Sequence, residues 1–313
     1  MEELKQTKLY ILTGFLGAGK TTLLRNLLMN DQGKKIGVIM NEFGKVGIDG
    51  NLVNKNGIML QEINRGSIFC SCLKINFAKT MAEMLDEDLD IVIVESSGLA
   101  DPSNIGEILD TVEQLKGRSY DYQGSICVID AVDFLNQVDE IDTVYRQTKH
   151  AQLAAISKKD LVEGSVIDQI KDKVREINPH TEITLVKHGE LDIDLFEQDL
   201  RKGRDLLVED TTNTKENKPK TISMIINEPV TREELMSFLR RVSYNCYRIK
   251  GPVTLEDGLV EVDVVNDRID LRDPTATHEE NRLVFISKVG PAIIRTVNDA
   301  WQELVGKSMK LQN

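Results

Sequence analysis

The sequence predicts an α/β protein, with a doubly wound, mainly parallel sheet covered by helices and a smaller α+β domain after it. Three observations carry this expectation. Short apolar runs rich in β-branched residues alternate with segments of helical periodicity over residues 8–200. A glycine-rich turn joins the first apolar run to the first helical segment. Residues 209–220 contain no aliphatic or aromatic residue, and beyond them the order of elements changes.

Length and composition set the frame. The 313 residues are enough for two domains that each bury a core, and 41% hydrophobic with 29% charged residues is the balance of a soluble globular chain. Net charge is −12 with no dense Lys/Arg block, which argues against nucleic acid or an anionic membrane as a partner. No stretch reaches the apolar length of a membrane-spanning helix, and Met1-Glu2-Glu3-Leu4-Lys5 has no signal-peptide core, so a cytoplasmic location is expected. The four cysteines, Cys70, Cys72, Cys127 and Cys246, are too scattered for a disulfide framework. Only Cys70 and Cys72 are close enough for joint chemistry.

The first strand, Leu9–Leu12, runs into Gly14-Phe15-Leu16-Gly17-Ala18-Gly19-Lys20-Thr21-Thr22 and then a helical segment. Strand, Gly-x-x-x-x-Gly-Lys-Thr and helix in that order form a phosphate-binding loop of the P-loop NTPase kind. Gly14, Gly17 and Gly19 free the backbone, together with Ala18, to turn its N–H groups onto phosphate, and the helix adds its positive end. Lys20 then reaches the β- and γ-phosphates, and the hydroxyls of Thr21 and Thr22 open the helix, Thr21 on Mg2+.

A second strand, residues 35–40, leads to a glycine-rich loop carrying Glu42 and Asp49, acidic groups placed to approach Mg2+ or the γ-phosphate. A third strand, 57–63, contains Glu62 and leads into the segment with Cys70 and Cys72; a helix over 75–85 follows. Leu89–Val94 reads as a strand buried on both faces and ends in Glu95-Ser96-Ser97-Gly98. An acid at the end of such a strand with Gly three residues on is where a P-loop protein holds Mg2+ and senses the γ-phosphate. A helix over 102–115, a buried strand over 124–130 with Cys127 as a core residue, and a helix over 142–152 come next.

The strand after them ends in Ser157-Lys158-Lys159-Asp160, where the usual guanine-reading loop has Asn-Lys-x-Asp. The carboxylate of Asp160 can accept from both N1–H and the N2 amino group of guanine, and adenine offers no such pair of donors. The stem of Lys158 covers a face of the base. Ser157, shorter than Asn, is expected to give up part of the hydrogen bonding that braces this loop. Helix 167–177, strand 182–186 and a short helix 193–200 complete a domain over 1–208. A flexible linker over 209–220 then gives way to an α+β domain over 221–313. Its elements are strand 221–226, helix 231–241 with Thr231 and Glu234 as a capping box, strands 244–250, 259–265 and 283–287, and helix 291–305. Trp301 falls to packing, and Arg240, Arg241, Arg248 and Lys250 to a solvated face.

Taken in this order, the phosphate loop, Asn41-Glu42-Phe43-Gly44, Glu95-Ser96-Ser97-Gly98-Leu99-Ala100-Asp101-Pro102 and Ser157-Lys158-Lys159-Asp160 resemble the CobW-type branch of the G3E P-loop GTPases, a metallochaperone family. The second domain, with Tyr247-Arg248-Ile249-Lys250-Gly251, is similar to the CobW C-terminal domain. The resemblance implies GTP and GDP as ligands, Mg2+, slow hydrolysis to GDP and phosphate, a homodimer, and a transition metal such as Zn2+, Co2+ or Ni2+ delivered to a client metalloprotein. The family's metal motif, Gly-Cys-x-Cys-Cys, is altered. Ser67 and Phe69 occupy its first two cysteine positions, Cys70 is retained, and Cys72 is new. Two thiolates at Cys70 and Cys72 with the Glu62 carboxylate can still chelate a soft or borderline cation. The alternative is a GTP-driven switch or reactivation factor for a corrinoid protein or metalloenzyme, carrying no metal itself.

Overall fold

The computed structural model describes residues 6–30, 33–40, 58–62, 74–187, 189–191, 193–202, 209, 219–274 and 281–312. They fall into two compact units, residues 1–217 and 218–313. Among the described residues no helix is long and apolar enough to cross a membrane.

In the first unit, strands β1 (Lys8–Thr13), β2 (Ile36–Met40), β3 (Met59–Glu62), β4 (Ile91–Glu95), β5 (Asp121–Asp130), β6 (Leu153–Ser157), β7 (Glu182–Lys187) and β8 (Glu190–Leu191) form one sheet in the order β3-β2-β4-β1-β5-β6-β7-β8. All neighbours are parallel except β7 and β8. Between them run α1 (Lys20–Asn30), α2 (Lys74–Met84), α3 (Ile105–Lys116), the single turn α4 (Phe134–Gln137), α5 (Asp142–Lys149) and α6 (Gly164–Ile177). Every residue of β2, β4 and β6 is buried, as expected of parallel strands covered on both faces. Two apolar clusters form the core: one packs α2 and α3 against Leu9, Ile11, Val92 and Val94, the other packs α1 against Tyr10, Leu12, Ile91 and Ile93. Alternate residues of the same strands serve the two clusters, the period-two consequence of a pleated sheet. With β4 and β5 on either side of β1, the chain changes direction across the sheet at β1, and the crevice at the carboxyl ends of these strands is where such folds place a ligand.

Sheet and loops differ from expectation in a few places. The helix expected over 193–200 is only a 3-10 turn, Leu195–Glu197, capped by Asp194. Its carbonyls are taken by β1, Lys8 Nζ donating to Phe196 O at 3.1 Å and Tyr10 Oη to Leu195 O at 3.4 Å, so the segment packs without lengthening its helix. Helix α5 stops at Lys149 because Asn178 Nδ2 draws the carbonyls of Lys149 and Ala151 at 2.9 and 2.8 Å into the turn before β6.

The second unit is an antiparallel sheet in the order β12-β11-β10-β13-β9-β14, made of β9 (Thr221–Ile226), β10 (Cys246–Leu255), β11 (Gly258–Val265), β12 (Arg268–Arg272), β13 (Arg282–Ser287) and β14 (Met309–Gln312). Helices α7 (Arg232–Ser243) and α8 (Ile293–Leu304) bury Phe238, Leu239, Val297 and Trp301 with Ile249, Val262 and Phe285 of the sheet. The capping box is present: Thr231 Oγ1 accepts from Glu234 N at 3.1 Å and Glu234 Oε2 accepts from Thr231 N at 2.7 Å. Trp301 is wholly buried, edge-on to Phe238 at 4.9 Å, and donates from Nε1 to Lys307 O at 2.7 Å. Arg248 departs from the solvated face expected of it: its guanidinium pairs in parallel with the carboxylate of Asp263 on the next strand, at 2.9 and 3.0 Å.

Candidate functional site

The phosphate loop leaves the end of β1 and enters α1 with three glycines at positive φ: Gly14 at 135°, Gly17 at 75° and Gly19 at 100°. Two of them are needed for different reasons. A Cβ on Gly14 would lie 2.3 Å from the carbonyl oxygen of Val128, because the loop lies directly on β5. Nothing crowds Gly19, whose requirement is its backbone angle alone. Within the loop, Ala18 N donates to Phe15 O at 3.2 Å, and Leu23 N to Gly19 O at 3.0 Å starts the α1 ladder, with Thr22 in its first turn.

Lys20 is 8% exposed, and its ammonium donates to the carbonyls of Gly14 and Phe15 at 2.8 and 3.1 Å. The loop's own backbone thus holds the cation at the mouth of the cradle. The next residue, Thr21, donates from Oγ1 to Glu95 Oε1 at 2.7 Å. Glu95, 4% exposed, is the last residue of β4, the parallel neighbour of β1. A hydroxyl and a buried carboxylate at the phosphate cradle are hard oxygen donors of the kind Mg2+ takes, so this pair fits that cation.

Beyond Glu95 the chain stays on the phosphate loop. Ser96 N and Oγ both reach Leu12 O, at 3.0 and 3.1 Å. A Cβ on Gly98 would stand 2.7 Å from the backbone nitrogen of Leu16, so only glycine lets these two loops touch. Asp101 is wholly buried and caps the 3-10 turn Pro102–Asn104 through Ser103 N at 3.0 Å.

The loop after β6 is joined to the same cradle. Ser157 Oγ lies 2.7 Å from Ala18 O and 3.1 Å from Ile129 O, so the shorter side chain still braces the loop on the phosphate cradle, with a single hydroxyl proton shared between two carbonyls. Lys158, at a φ of 56°, donates from Nζ to Gly17 O and to Asp130 Oδ2, both at 2.7 Å. Asp160 stands exposed two residues further on. Sequence reasoning passed over Asp130 as a mere strand end, although it fixes Lys158. Its signal is an acid closing a buried strand, opposite Ser157 in the β5–β6 register.

Cys127 lies under the cradle, paired in register with Thr13. Burial pushes its thiol up to about 11, so it stays protonated and serves as core. The structure therefore brings Gly14, Gly17, Ala18, Gly19, Lys20, Thr21, Thr22, Glu95, Gly98, Ser157 and Lys158 to one end of the sheet, with Asp160 beyond Lys158. Glu42, Asp49, Cys70 and Cys72 lie outside the described residues, as does the side chain of Glu62, whose backbone ends β3. Among the described residues, no group of three or more His, Cys, Asp or Glu side chains gathers as a metal site.

Comparison with known proteins agrees with this geometry. The family model for the CobW/HypB/UreG nucleotide-binding domain matches residues 8–185, and that for the cobalamin synthesis protein cobW C-terminal domain matches 220–297. The chain is 32% identical over 192 residues to the zinc chaperone YjiA of Escherichia coli, across 59% of each chain. It is 31% identical over 191 residues to the zinc-regulated GTPase metalloprotein activator 1 of Schizosaccharomyces pombe, across 58% of this chain and 46% of that one. These matches span only about half the length of the curated relatives. The Zn(II)-bound YjiA GTPase of E. coli superposes with a TM-score of 0.50 at 23% identity over 96% of this chain and 99% of that one, a likeness of fold. With its nucleotide-binding model covering more than half the sequence and the C-terminal model most of the rest, the chain belongs to the CobW/HypB/UreG family.

Proposed function

We propose that the protein is a GTP-hydrolysing metal chaperone that couples its nucleotide state to delivery of a transition metal to a client metalloprotein, acting in the cytoplasm as a homodimer. The observation that supports this most is the joining of three loops at one end of the sheet. Lys158 of the base-reading loop and Gly98 of the loop after β4 both rest on the phosphate loop, and Thr21 meets Glu95 between them. The zinc named for YjiA and for the yeast activator supports zinc as the first cargo to test.

In this reading Lys20 exchanges the carbonyls of Gly14 and Phe15 for the β- and γ-phosphates, and the backbone of Gly17, Ala18 and Gly19 lines the phosphates. Thr21 and Glu95, with Glu42, would hold Mg2+, which would supply positive charge to offset that of the phosphates. Asp49, on the same glycine-rich stretch of sequence as Glu42, would assist at the γ-phosphate. Asp160 accepts the two guanine donors while Ser157 and Lys158 fix its loop. Hydrolysis forms a bond from a water oxygen to the γ-phosphorus and breaks the bond to the β–γ bridging oxygen, which leaves on GDP. The water's protons go to phosphate and solvent. Cys70 and Cys72, with Glu62, carry the transferred metal.

The test is a titration of the reduced protein with Zn2+, Co2+ and Ni2+ in Mg2+ and either GDP or a non-hydrolysable GTP analogue, repeated on Cys70→Ser/Cys72→Ser. Tight, cysteine-dependent binding that changes with the nucleotide is the expected result. Metal binding equal in wild type and variant would defeat the chaperone reading. The presence of Ser67 and Phe69 at two family cysteine positions favours a second reading in that event, a GTP-driven switch for a corrinoid protein or metalloenzyme. GTP bound no better than ATP would defeat both.

A further inference from the structure

Residues 96–101, which follow Glu95, are held from two sides. On one side is the phosphate loop, through Ser96 on Leu12 O and the close approach of Gly98 to Leu16. On the other is α5. Gln147, 1% exposed, donates from Nε2 to Gly98 O at 3.3 Å and to Ala100 O at 2.8 Å. Because both partners are carbonyl oxygens, the amide nitrogen must face the loop. Its oxygen, Oε1, is buried with no hydrogen-bond partner. An unpartnered buried acceptor is unfavourable, so the contribution of this amide lies in its two donors.

The preceding residue grips the end of the same loop. Arg146 donates from Nε to Asp101 Oδ2 at 2.8 Å and from Nη2 to Ser103 Oγ at 3.1 Å. Its Nη1 lies 3.6 Å from Glu209 Oε2, and Glu209 also accepts from Lys149 Nζ at 2.5 Å and contacts His150 Nε2 at 3.3 Å. Burial pushes the His150 ring below its ordinary value against the pull of Glu209 and Asp101, so the positive charge facing Glu209 comes from Arg146 and Lys149. One short helix therefore holds the loop after β4 inward and Glu209 outward. Glu209 is nine residues before the second unit begins at Lys218.

We propose that Gln147 and Arg146 are positioning residues for GTP hydrolysis, a clamp on α5 that fixes the peptides from Gly98 to Asp101 against the phosphate loop, with Glu209 as its outer counter-charge. Gln147 reaches the carbonyls of Gly98 and Ala100, and Arg146 reaches Asp101 and Ser103. They act by holding the loop that senses the γ-phosphate, so their loss slows the chemical step and leaves nucleotide binding by the phosphate loop and Asp160 in place. The proposal rests on the GTPase reading of the site.

The experiment compares the full-length chain with Gln147→Leu, Arg146→Lys and Glu209→Gln by steady-state GTP hydrolysis, fluorescent GDP titration, and amide hydrogen exchange over 96–101 in the nucleotide-free and GDP-bound proteins. Gln147→Leu, close in volume but without donors, should lower kcat about tenfold or more with KM and GDP affinity within about twofold. Exchange should quicken at 98–101 and not at 14–21. Arg146→Lys keeps the charge and loses the fork, and should lower kcat about threefold to tenfold. Glu209→Gln should have a smaller effect in the same direction. Hydrolysis by Gln147→Leu within about twofold of wild type, or a loss of kcat matched by an equal loss of GDP affinity, overturns the proposal. Should Gln147→Leu not fold, Arg146→Lys decides by the same criteria. If the wild type binds no guanine nucleotide, the GTPase reading fails first, and unchanged exchange at 98–101 in the variants would then separately defeat the clamp.

Discussion

At the phosphate end of the site, Lys20 is buried with its ammonium on two loop carbonyls, Thr21 meets Glu95, and Gly14 lies so close to β5 that no side chain fits. At the base end, Ser157 and Lys158 are fixed on the same loop, whereas Asp160 is exposed. The difference follows the chemistry of the two tasks. A polyphosphate is gripped by charge and backbone dipoles that gain strength from being dry and preorganised. A base is chosen by two hydrogen bonds that form only when it arrives. Lys158 ties the base end to the phosphate loop, and in the proposed function its selectivity would come from the Asp160 carboxylate.

The largest expected effect breaks the phosphate end alone. Lys20→Ala removes the charge-assisted contact to the phosphates and should weaken GTP and ATP binding equally, by about 100-fold, in a titration with fluorescent nucleotides. Unequal losses would mean that the two ends are not separable. The complementary change, Asp160→Asn, exchanges a double acceptor for one donor and one acceptor. Binding of GTP should fall about 30-fold, while xanthosine triphosphate, with a carbonyl where guanine has its amino group, should gain. Equal GTP affinity in wild type and variant would remove Asp160 from the base site. Between the two lies Ser157→Ala, which removes the hydroxyl on Ala18 O and Ile129 O. It should weaken GTP and ATP alike by about fivefold and lower stability by about 1 kcal/mol, since the contact it loses braces the cradle itself.

What the sequence made legible follows the range of the interactions. The phosphate loop, the buried strand ending at Glu95 and the capping box at Thr231 and Glu234 are local patterns, and each is present as read. Asp130, Arg146 and Gln147 were not legible in their roles. Each meets its partner across tens of residues, Asp130 with Lys158 over 28 and Gln147 with Ala100 over 47, and only the strand order β4-β1-β5-β6 brings them together. The partners of Ser157 were not legible for the same reason. A serine is short along the chain but adequate when the phosphate loop passes within 2.7 Å. Strands β8, β12 and β14 escaped because they are short edge elements whose pairing is set by the neighbour and not by their own alternation.

The smallest effect concerns what lies beneath the phosphate end, and it vanishes at neutral pH. Cys127 is buried beside Thr13, and burial pushes its thiol from the ordinary 9.0 to about 11. A group whose folded value is raised contributes stability that is complete below the unfolded value and is lost as pH rises through the folded one. The window is therefore 9.0 to about 11, and near the middle of it the unfolded chain gains about 1 kcal/mol from an ionised thiol that the folded chain cannot match. Denaturant melts of wild type and Cys127→Ala should show a gap in stability that is constant below this window and shifts, against the wild type, by that amount near its middle and by about twice as much once pH has passed through it. Cys246 in the second unit, pushed up to about 12, is the internal control, since it should resist alkylation at least as well as Cys127. A Cys127 that is alkylated rapidly at neutral pH in the folded protein would show that the floor of the phosphate cradle opens to solvent, and the contrast between a dry phosphate end and a wet base end would then fail.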